Sequence, residues 1–203
     1  MFITFEGIDG CGKTTQARLV ADYLGNHLPP HRWLATKEPG DWSKGKMLRQ
    51  ILLEGELAHP LSELFLFLVD RCEHLDEVVM PALKEGRVVL CDRYVDSTLA
   101  YQVWGRGLPR QEVEALFRWC AFPRPDLTIW FDLPPLHALD RMKRRGSVDR
   151  IESAEPSFLH RVALGYESLW LEDPGRICRL DASLSETELF ARLLPLLQKA
   201  IGR

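Results

Sequence analysis

Short apolar runs alternate with longer segments of helical period along the chain. The apolar runs are rich in β-branched residues, and they predict strands at residues 2–6, 33–37, 87–91, 127–132 and 176–180. Such an alternation is typical of a parallel β-sheet that is covered by helices. We therefore expect an α/β fold of three layers, with about five parallel strands in one βα series and helices on both faces.

The segments between the strands have the 3.6-residue period of amphipathic helices. They predict helices at residues 13–24, 44–53, 62–83, 110–121, 136–143, 157–171 and 186–201. Gly25, Gly86 and Gly202 are of the type that ends a helix. Because the chain has no internal repeat and no long linker, we expect residues 1–203 to form a single domain.

Composition excludes several classes of function. The 26 Lys and Arg residues nearly balance the 29 Asp and Glu residues, which argues against a nucleic-acid-binding surface. The six histidines form no metal-binding motif, and the five cysteines have no CxxC spacing, so we expect reduced thiols. No apolar run approaches the ~20 residues that a membrane span needs. A cytoplasmic protein that binds no membrane is the expectation.

The strongest motif directly follows the first predicted strand. It is an unbroken G-x-x-x-x-G-K-T sequence that leads into a helix through Thr15, and its residues are Gly7, Ile8, Asp9, Gly10, Cys11, Gly12, Lys13 and Thr14. In such a phosphate-binding loop, or P-loop, consecutive backbone N–H groups and the helix N-terminus surround the phosphates of ATP. Lys13 would reach the β- and γ-phosphates. The alternative is a chance glycine-rich turn, which the correct strand and helix flanks disfavour.

A magnesium site is predicted from two residues. The Thr14 hydroxyl is expected to be the P-loop ligand for Mg²⁺. Asp92 directly follows the apolar run Val88-Val89-Leu90-Cys91, and P-loop enzymes use an aspartate in this position to bind Mg²⁺. The alternative for Asp92 is a structural aspartate that begins a turn or caps the next helix. We expect Mg²⁺ to be bound together with ATP.

P-loops occur in enzymes that catalyse several different reactions, so the reaction must be inferred from the residues that would bind the phosphate acceptor. The chain has no NKxD box for guanine, but Arg49, Arg71 and Arg93 lie near predicted strand ends and helix faces. Phe67 and Arg71 are four residues apart on one predicted helix and so share a face, which would offer a ring to a base and a guanidinium to a phosphate. Taken alone, Phe67 fits a buried helix core better than a stacking residue.

The sequence resembles the thymidylate kinases along nearly its whole length. The matching segments are 5–15, Lys37-Glu38-Pro39-Gly40, Leu48-Arg49, Phe67 with Arg71, Asp92-Arg93-Tyr94 with Ser97, Ala100, Tyr101 and Gln102, Pro125-Asp126-Leu127-Thr128, and Asp149-Arg150-Ile151-Glu152. The resemblance implies transfer of the ATP γ-phosphate to dTMP, which gives dTDP and ADP in dTTP biosynthesis. It also implies a homodimer that pairs through the apolar helix 61–83.

Roles for individual residues follow from this resemblance. Phe67 would stack on thymine, Arg71 would approach its polar edge or the monophosphate, and Arg49 and Arg93 would bind phosphate. Tyr101 would occupy the space of a ribose 2′-hydroxyl, and Asp9 would hold the sugar or order the site. The full set of expected acceptor-binding residues is Glu38, Pro39, Arg49, Phe67, Arg71, Arg93, Ser97, Thr98, Tyr101 and Gln102.

A cation-rich segment at about residues 141–153 resembles the lid of the bacterial-type members. Because the P-loop itself has no arginine, we expect the lid to supply positive charge to the transferred phosphoryl group, from Arg145 and Arg150. With Lys13, Arg93 and Asp9, these two arginines complete the expected catalytic set. The alternative for either lid residue is a solvated basic helix end.

Three rival functions stay open at this point. A deoxynucleoside kinase would share the P-loop and would use Glu38 as a general base, and another monophosphate kinase would differ in its base. A nucleotide-gated binding module would turn ATP over slowly. Two positions near the expected acceptor site depart from the family pattern. Lys37 stands where many family members have arginine, and Asp41-Trp42 stands where Gly-Thr is common.

Overall fold

The computed structural model of the protein describes residues 1–55, 57–145 and 156–202. Its centre is a five-stranded parallel sheet with the strand order β2-β3-β1-β4-β5. The strands are β1 (Phe2–Glu6), β2 (Trp33–Lys37), β3 (Val88–Asp92), β4 (Leu127–Asp132) and β5 (Ile177–Asp181). This sheet confirms the predicted fold class.

Alternate side chains of the central strands enter different hydrophobic clusters, because successive residues of a strand point to opposite faces. Ile3, Phe5 and Leu90 belong to a large cluster that also contains residues of the surrounding helices. Phe2 and Val89 belong to a smaller cluster on the other side. Both faces of the sheet are therefore covered, as a parallel sheet requires.

The helices are α1 (Lys13–His27), α2 (Gly45–Glu54), α3 (Pro60–His74), α4 (Met80–Lys84), α5 (Val95–Thr98), α6 (Arg110–Trp119), α7 (Pro135–Arg145), α8 (Pro156–Glu172) and α9 (Glu186–Ile201). A π-helical turn, Leu75–Val79, joins α3 to α4, and a second one, Leu99–Gly105, continues α5. A short 3₁₀ turn, Pro30–Arg32, precedes β2. The seven predicted helices are all present.

Three details of the prediction were wrong. Strands β3 and β5 each begin and end one residue later than predicted, so Asp92 is the last residue of β3. Gly25 does not end α1, which continues to His27. Gly202 does follow the end of α9 in the left-handed conformation.

The sequence pattern missed the helical segment formed by α5 and the π-helical turn Leu99–Gly105. Val95, Thr98 and Gly105 have low intrinsic helix propensity, so local preference does not favour a helix here. Tertiary packing stabilises it instead, because the turn packs along α8. This segment carries Ser97, Tyr101 and Gln102, three of the expected acceptor-binding residues.

All five cysteines are free thiols, in agreement with the expectation from their spacing. Within the described parts of the chain, no helix is both long and apolar enough to cross a membrane.

Two helical glycines allow a matched test of the packing between α8 and the turn Leu99–Gly105. A Cβ at Gly165 of α8 would lie 2.9 Å from Trp104 Cγ and 3.1 Å from Ala100 Cα, whereas a Cβ at Gly25 would meet only Trp33 Cζ2 at 3.6 Å. We expect Gly165→Ala to lower the free energy of unfolding, because overpacking costs ~1–3 kcal/mol and exceeds the gain in helix propensity of ~0.5–1 kcal/mol.

The control, Gly25→Ala, has space for its methyl group and should leave the stability unchanged or raise it by up to ~1 kcal/mol. Urea denaturation of the two variants measures both values. Equal stabilisation by both substitutions would contradict the close packing at Gly165.

Candidate active site

A cleft of about 470 Å³ opens at the carboxyl ends of β1, β2 and β3, where parallel α/β sheets bind their ligands. It brings together residues that are far apart in the sequence: Asp9, Gly10, Gly12, Lys13, Thr14, Thr15, Lys37, Glu38, Pro39, Arg49, Leu53, Phe67, Arg71, Asp92, Arg93, Ser97, Thr98, Tyr101, Gln102, Arg141 and Met142. All ten expected acceptor-binding residues line this one cleft.

The P-loop forms the floor of one end. Gly7 has φ 140°, and a Cβ there would lie 2.6 Å from the backbone oxygen of Phe131, so only glycine fits. At Gly10, with φ 80°, a Cβ would lie 2.8 Å from the backbone oxygen of Ala138. The side chains of Ile8 and Cys11 are buried in the core, so these two residues have only backbone groups to offer to a phosphate.

Lys13 begins α1 and folds over the loop. Its Nζ donates to the backbone oxygens of Gly7 at 2.9 Å and Ile8 at 3.0 Å. The ammonium group is thereby held beside the N-terminus of α1, where unpaired N–H groups and the helix dipole attract anions. This end of the cleft has the charge and the geometry to bind a polyphosphate.

Thr14 and Asp92 meet at the predicted magnesium site. The Thr14 hydroxyl donates to Asp92 Oδ2 at 3.1 Å. The other carboxylate oxygen, Asp92 Oδ1, is buried and has no hydrogen-bond partner among the described residues. Because Mg²⁺ prefers oxygen ligands, a hydroxyl beside a buried carboxylate oxygen without a partner fits this ion.

Arg93 lies at the centre of the cleft and connects the P-loop to α5 and the turn that follows it. Its guanidinium Nη1 donates to the backbone oxygen of Gly7 at 3.2 Å and to Ser97 Oγ at 3.1 Å. Its Nη2 forms a salt bridge with Asp9 and donates to Tyr101 Oη at 3.3 Å. Arg93 has φ 74°, an unusual value for a residue with a side chain. These contacts fix its position.

Asp9 is held as an anion by this arrangement. Burial alone would raise the pKa of Asp9, but the positive charges of Arg93 and Lys13 outweigh burial and lower the pKa to about 2. The Tyr101 hydroxyl donates to Asp9 Oδ2 at 2.6 Å, which also favours the charged form. Asp9 therefore orders Arg93 and Tyr101 at the centre of the cleft.

A buried glutamate behind Arg93 was not predicted from the sequence. Glu6, the last residue of β1, accepts hydrogen bonds from the Tyr94 backbone N–H at 2.8 Å, Ser97 Oγ at 2.5 Å and Tyr166 Oη at 3.2 Å. Burial, followed by repulsion from Asp96, raises the pKa of Glu6 to about 7. The signal in the sequence was a charged residue at the end of the apolar run of β1.

Arg71 is almost fully buried, with 2% of its surface exposed. Its Nε donates to Glu38 Oε2 at 2.8 Å, and its Nη1 donates to Thr98 Oγ1 at 3.0 Å. The guanidinium also lies 5.0 Å from the ring centre of Tyr94. His74 Nδ1 lies 3.0 Å from Glu38 Oε1, so both oxygens of Glu38 are engaged. The sequence did not predict the role of His74.

The loop that follows β2, residues 38–44, is called the acceptor loop here, and it contains Asp41 and Trp42, which depart from the family pattern. The Asp70 carboxylate accepts from the Gly40 N–H at 2.9 Å and from Trp42 Nε1 at 2.7 Å. Asp41 accepts from the Thr36 hydroxyl at 2.9 Å. Both unusual side chains thus stabilise the loop, and burial raises the pKa of Asp70 to about 6.

The remaining acceptor-side residues surround the cleft. Phe67 is half-buried, packs against the core and also lines the cleft. Its stacking on a base stays a prediction. Arg49 Nη1 donates to the backbone oxygen of Pro39 at 2.8 Å. Gln102 Nε2 donates to Glu63 Oε1 at 3.0 Å, a contact that the sequence did not predict.

The expected lid is only partly within the described chain. Arg141 of α7 lines the cleft and donates to the backbone oxygen of Ala182 at 3.1 Å. Residues 146–155, which include Arg150, lie outside the described residues, and so does the side chain of Arg145. The roles of Arg145 and Arg150 stay predictions.

Comparisons with known proteins point to one family. The sequence model of the family described as "Thymidylate kinase" matches residues 5–193. The chain is similar to a thymidylate kinase of Synechococcus sp. (strain JA-2-3B'a(2-13)), with 45% identity over 95% of this chain and 92% of the relative. It is 46% identical to one of Gloeobacter violaceus over 91% of this chain and 88% of the relative.

Among solved structures, the fold is similar to the crystal structure of thymidylate kinase from Ehrlichia chaffeensis. The TM-score is 0.82 with 30% sequence identity, and the match covers 98% of each chain. The family match spans the P-loop, the acceptor loop and the segment that carries Arg93 and Tyr101. This chain therefore belongs to the thymidylate kinase family.

Proposed function

We propose that this protein transfers the γ-phosphate of ATP to dTMP, which gives dTDP and ADP in dTTP biosynthesis. The observation that carries the proposal is one cleft in which a P-loop faces Phe67, Arg71, Tyr101 and Gln102. The first element suits a nucleoside triphosphate, and the second suits a pyrimidine deoxynucleotide. Membership of the thymidylate kinase family supports the same reaction.

On the donor side, Lys13 and the backbone N–H groups at the start of α1 bind the β- and γ-phosphates of ATP. Lys13 Nζ needs only to exchange its present loop carbonyl partners for phosphate oxygens. Thr14 and Asp92 would hold Mg²⁺, which neutralises phosphate charge when it is bound. Thr15 lines the same end of the cleft.

On the acceptor side, no general base is required. A phosphate monoester has a second pKa of ~6, so the attacking oxygen of dTMP is already ionised at neutral pH. Catalysis then consists of aligning two anions and neutralising their repulsion. Arg93, held between Gly7 and Ser97, is placed to do this, and Arg49 adds a second guanidinium.

The sugar and base are read by separate groups. Tyr101, whose hydroxyl is held by Asp9, fills the space of a ribose 2′-hydroxyl and so favours a deoxyribonucleotide. Phe67 stacks on the base, and Arg71 donates to its polar edge. Glu38, Pro39, Ser97 and Thr98 shape this end of the cleft.

The deoxynucleoside kinase alternative would need Glu38 as a free base. Both oxygens of Glu38 are engaged, one with Arg71 and one with His74, and 4% of the residue is exposed. A carboxylate that neutralises a buried guanidinium is poorly suited to abstract a proton from a sugar hydroxyl. The geometry therefore favours the monophosphate as acceptor.

Further properties belong to the same proposal. We propose a single domain over residues 1–203 with a lid at about 141–153, in which Arg145 and Arg150 complete the charge around the γ-phosphate. ATP and dTMP are the substrates, and nucleic acid and membrane have no part in the reaction. Free thiols and a nucleotide substrate fit the cytoplasm.

The function is tested by offering dTMP, dUMP, UMP and thymidine separately with Mg·ATP and measuring coupled ADP release. We expect fast turnover with dTMP, weaker turnover with dUMP and UMP, and loss of activity when EDTA removes Mg²⁺. Turnover with thymidine alone would mean that the protein is a deoxynucleoside kinase with Glu38 as its general base. Slow ADP release that is independent of the acceptor would favour a nucleotide-gated binding module.

Removing either central cation should abolish catalysis. We expect Lys13→Ala and Arg93→Ala each to lower kcat/KM for dTMP by roughly 10³-fold or more, because preorganised positive charge stabilises the transferring phosphoryl group. Lys84→Ala, an exposed lysine at the end of α4, is the matched control and should keep wild-type kinetics. Near wild-type activity of either cleft variant would refute the assigned roles.

A homodimer is also part of the proposal, but its surface differs from the whole helix 61–83 that we expected. Leu75, Val79 and Ala82 are buried in the core, so that half of the segment is not available. Five exposed large apolar side chains lie instead at intervals of four residues on α2 and α3, two helices that contact each other. They are Met47, Ile51, Leu61, Phe65 and Val69.

We expect the protein to have the mass of a dimer in multi-angle light scattering, and Phe65→Glu to shift it to a monomer, because a charge would be buried in an apolar interface. Phe65 is 49% exposed, so the substitution spares the core of the single subunit. The control is Leu171→Glu on α8, which is also exposed but lies off this face. A monomeric wild-type mass would refute the dimer.

A further inference from the structure

Glu63 lies beneath the base-binding end of the cleft and is itself buried, with 2% exposure. It is on α3, one turn before Phe67. Its Oε1 accepts from Gln102 Nε2 at 3.0 Å, and Arg106 donates to both carboxylate oxygens, from Nε and Nη2, each at 3.1 Å. Burial of a carboxylate costs free energy unless its oxygens are hydrogen-bonded, and Gln102 and Arg106 supply these hydrogen bonds to Glu63.

The contacts fix which way the Gln102 amide points. A guanidinium that donates to both oxygens favours the ionised form of Glu63, and an ionised carboxylate can only accept hydrogen bonds. The NH₂ group of Gln102 must therefore face Glu63. Since Gln102 lines the cleft, its amide oxygen is the acceptor that it can offer to a ligand there.

Arg71 offers the opposite polarity. A guanidinium only donates, and its Nε and Nη1 are occupied by Glu38 and Thr98. The base end of the cleft therefore presents donors from Arg71 and an acceptor from Gln102. Thymine and uracil carry an N3–H donor beside the O4 acceptor, which matches this pair. Cytosine carries an N3 acceptor beside a 4-amino donor, which opposes it at both positions.

We infer that Glu63 is a positioning residue that makes Gln102 present its amide oxygen to the base, and thereby excludes cytosine nucleotides. Without the carboxylate, the amide can turn by half a revolution and donate to cytosine N3. This inference rests on the proposed function, because it concerns the acceptor base of the same reaction. Glu63 acts through Gln102 and need not touch the substrate.

The test compares dTMP, dUMP and dCMP as acceptors for the wild type and for Glu63→Gln. A glutamine at position 63 is nearly isosteric, but its amide can either donate or accept, so it no longer fixes Gln102. We expect the ratio of kcat/KM for dTMP to that for dCMP to fall about tenfold or more, the scale of one hydrogen bond of the wrong polarity. The ratio of dTMP to dUMP should stay unchanged, because both keep N3–H and O4.

A purely structural role of Glu63 predicts a different result. The Glu63–Arg106 pair also ties α3 to the residues that follow the turn Leu99–Gly105, and loosening this tie would lower kcat/KM for all three nucleotides by the same factor. An unchanged ratio of dTMP to dCMP overturns the inference. Single-turnover measurements at high enzyme concentration make the slow dCMP reaction accessible.

The Gln102→Leu background shows whether Glu63 acts through Gln102. In that background, Glu63→Gln should leave the ratio of dTMP to dCMP unchanged, because the amide whose orientation it controls is absent. A further fall in the ratio would mean that Glu63 affects the base by another route, and it would overturn the inference.

Folding and function are kept apart by two controls. If thermal denaturation shows that Glu63→Gln does not fold, the double variant Glu63→Gln, Arg106→Gln is used, because it also removes the guanidinium that has lost its partner. The same fall in the ratio of dTMP to dCMP is expected for this double variant. Failure of the wild type to phosphorylate dTMP refutes the proposed function itself. Wild-type activity on dTMP with an unchanged ratio in the variant refutes only this inference.

Discussion

The contact between Arg93 and Asp9 is the interaction on which the site depends. Asp9 belongs to the P-loop, and Arg93 follows β3, so the salt bridge joins the phosphate-binding loop to the segment that carries the acceptor-side residues. Tyr101 completes the arrangement by bonding to both partners. Because the two charges stabilise each other, both stay ionised at neutral pH, and the Arg93 cation is held between the P-loop and α5.

Several buried carboxylates each pair with a guanidinium group, and each pair joins different elements. Arg71 pairs with Glu38, Arg106 with Glu63, and Arg176 with Asp96. A buried pair gives little net stability, but loss of one partner leaves an uncompensated charge that costs ~3–5 kcal/mol. Such pairs therefore fix orientation more than they stabilise, and orientation is what a kinase needs from residues that read a base or align a phosphate.

The sequence predicted those parts of the molecule whose signal is local. The P-loop is continuous from Gly7 to Thr14, and the strand pattern is set by runs of five or six residues, so both could be recognised without a tertiary structure. Glu63 and His74 could not be recognised, because their roles depend on partners that lie 39 and 36 residues away. The segment with Tyr101 and Gln102 was missed as a helix because packing against α8, rather than propensity, holds it in place.

The acceptor loop shows why a departure in sequence need not change a site. Asp70 accepts a backbone hydrogen bond from Gly40, which sets the course of the chain at the cleft whatever side chain follows. Trp42 adds a second donor to the same Asp70 oxygen, so the indole reinforces a contact that the backbone already makes. Ser43 extends the attachment by donating to Glu77 at 3.0 Å from its backbone and 2.9 Å from its hydroxyl. The loop is thus held from the side of α3 and the turn after it, which leaves Pro39 and Arg49 to face the cleft.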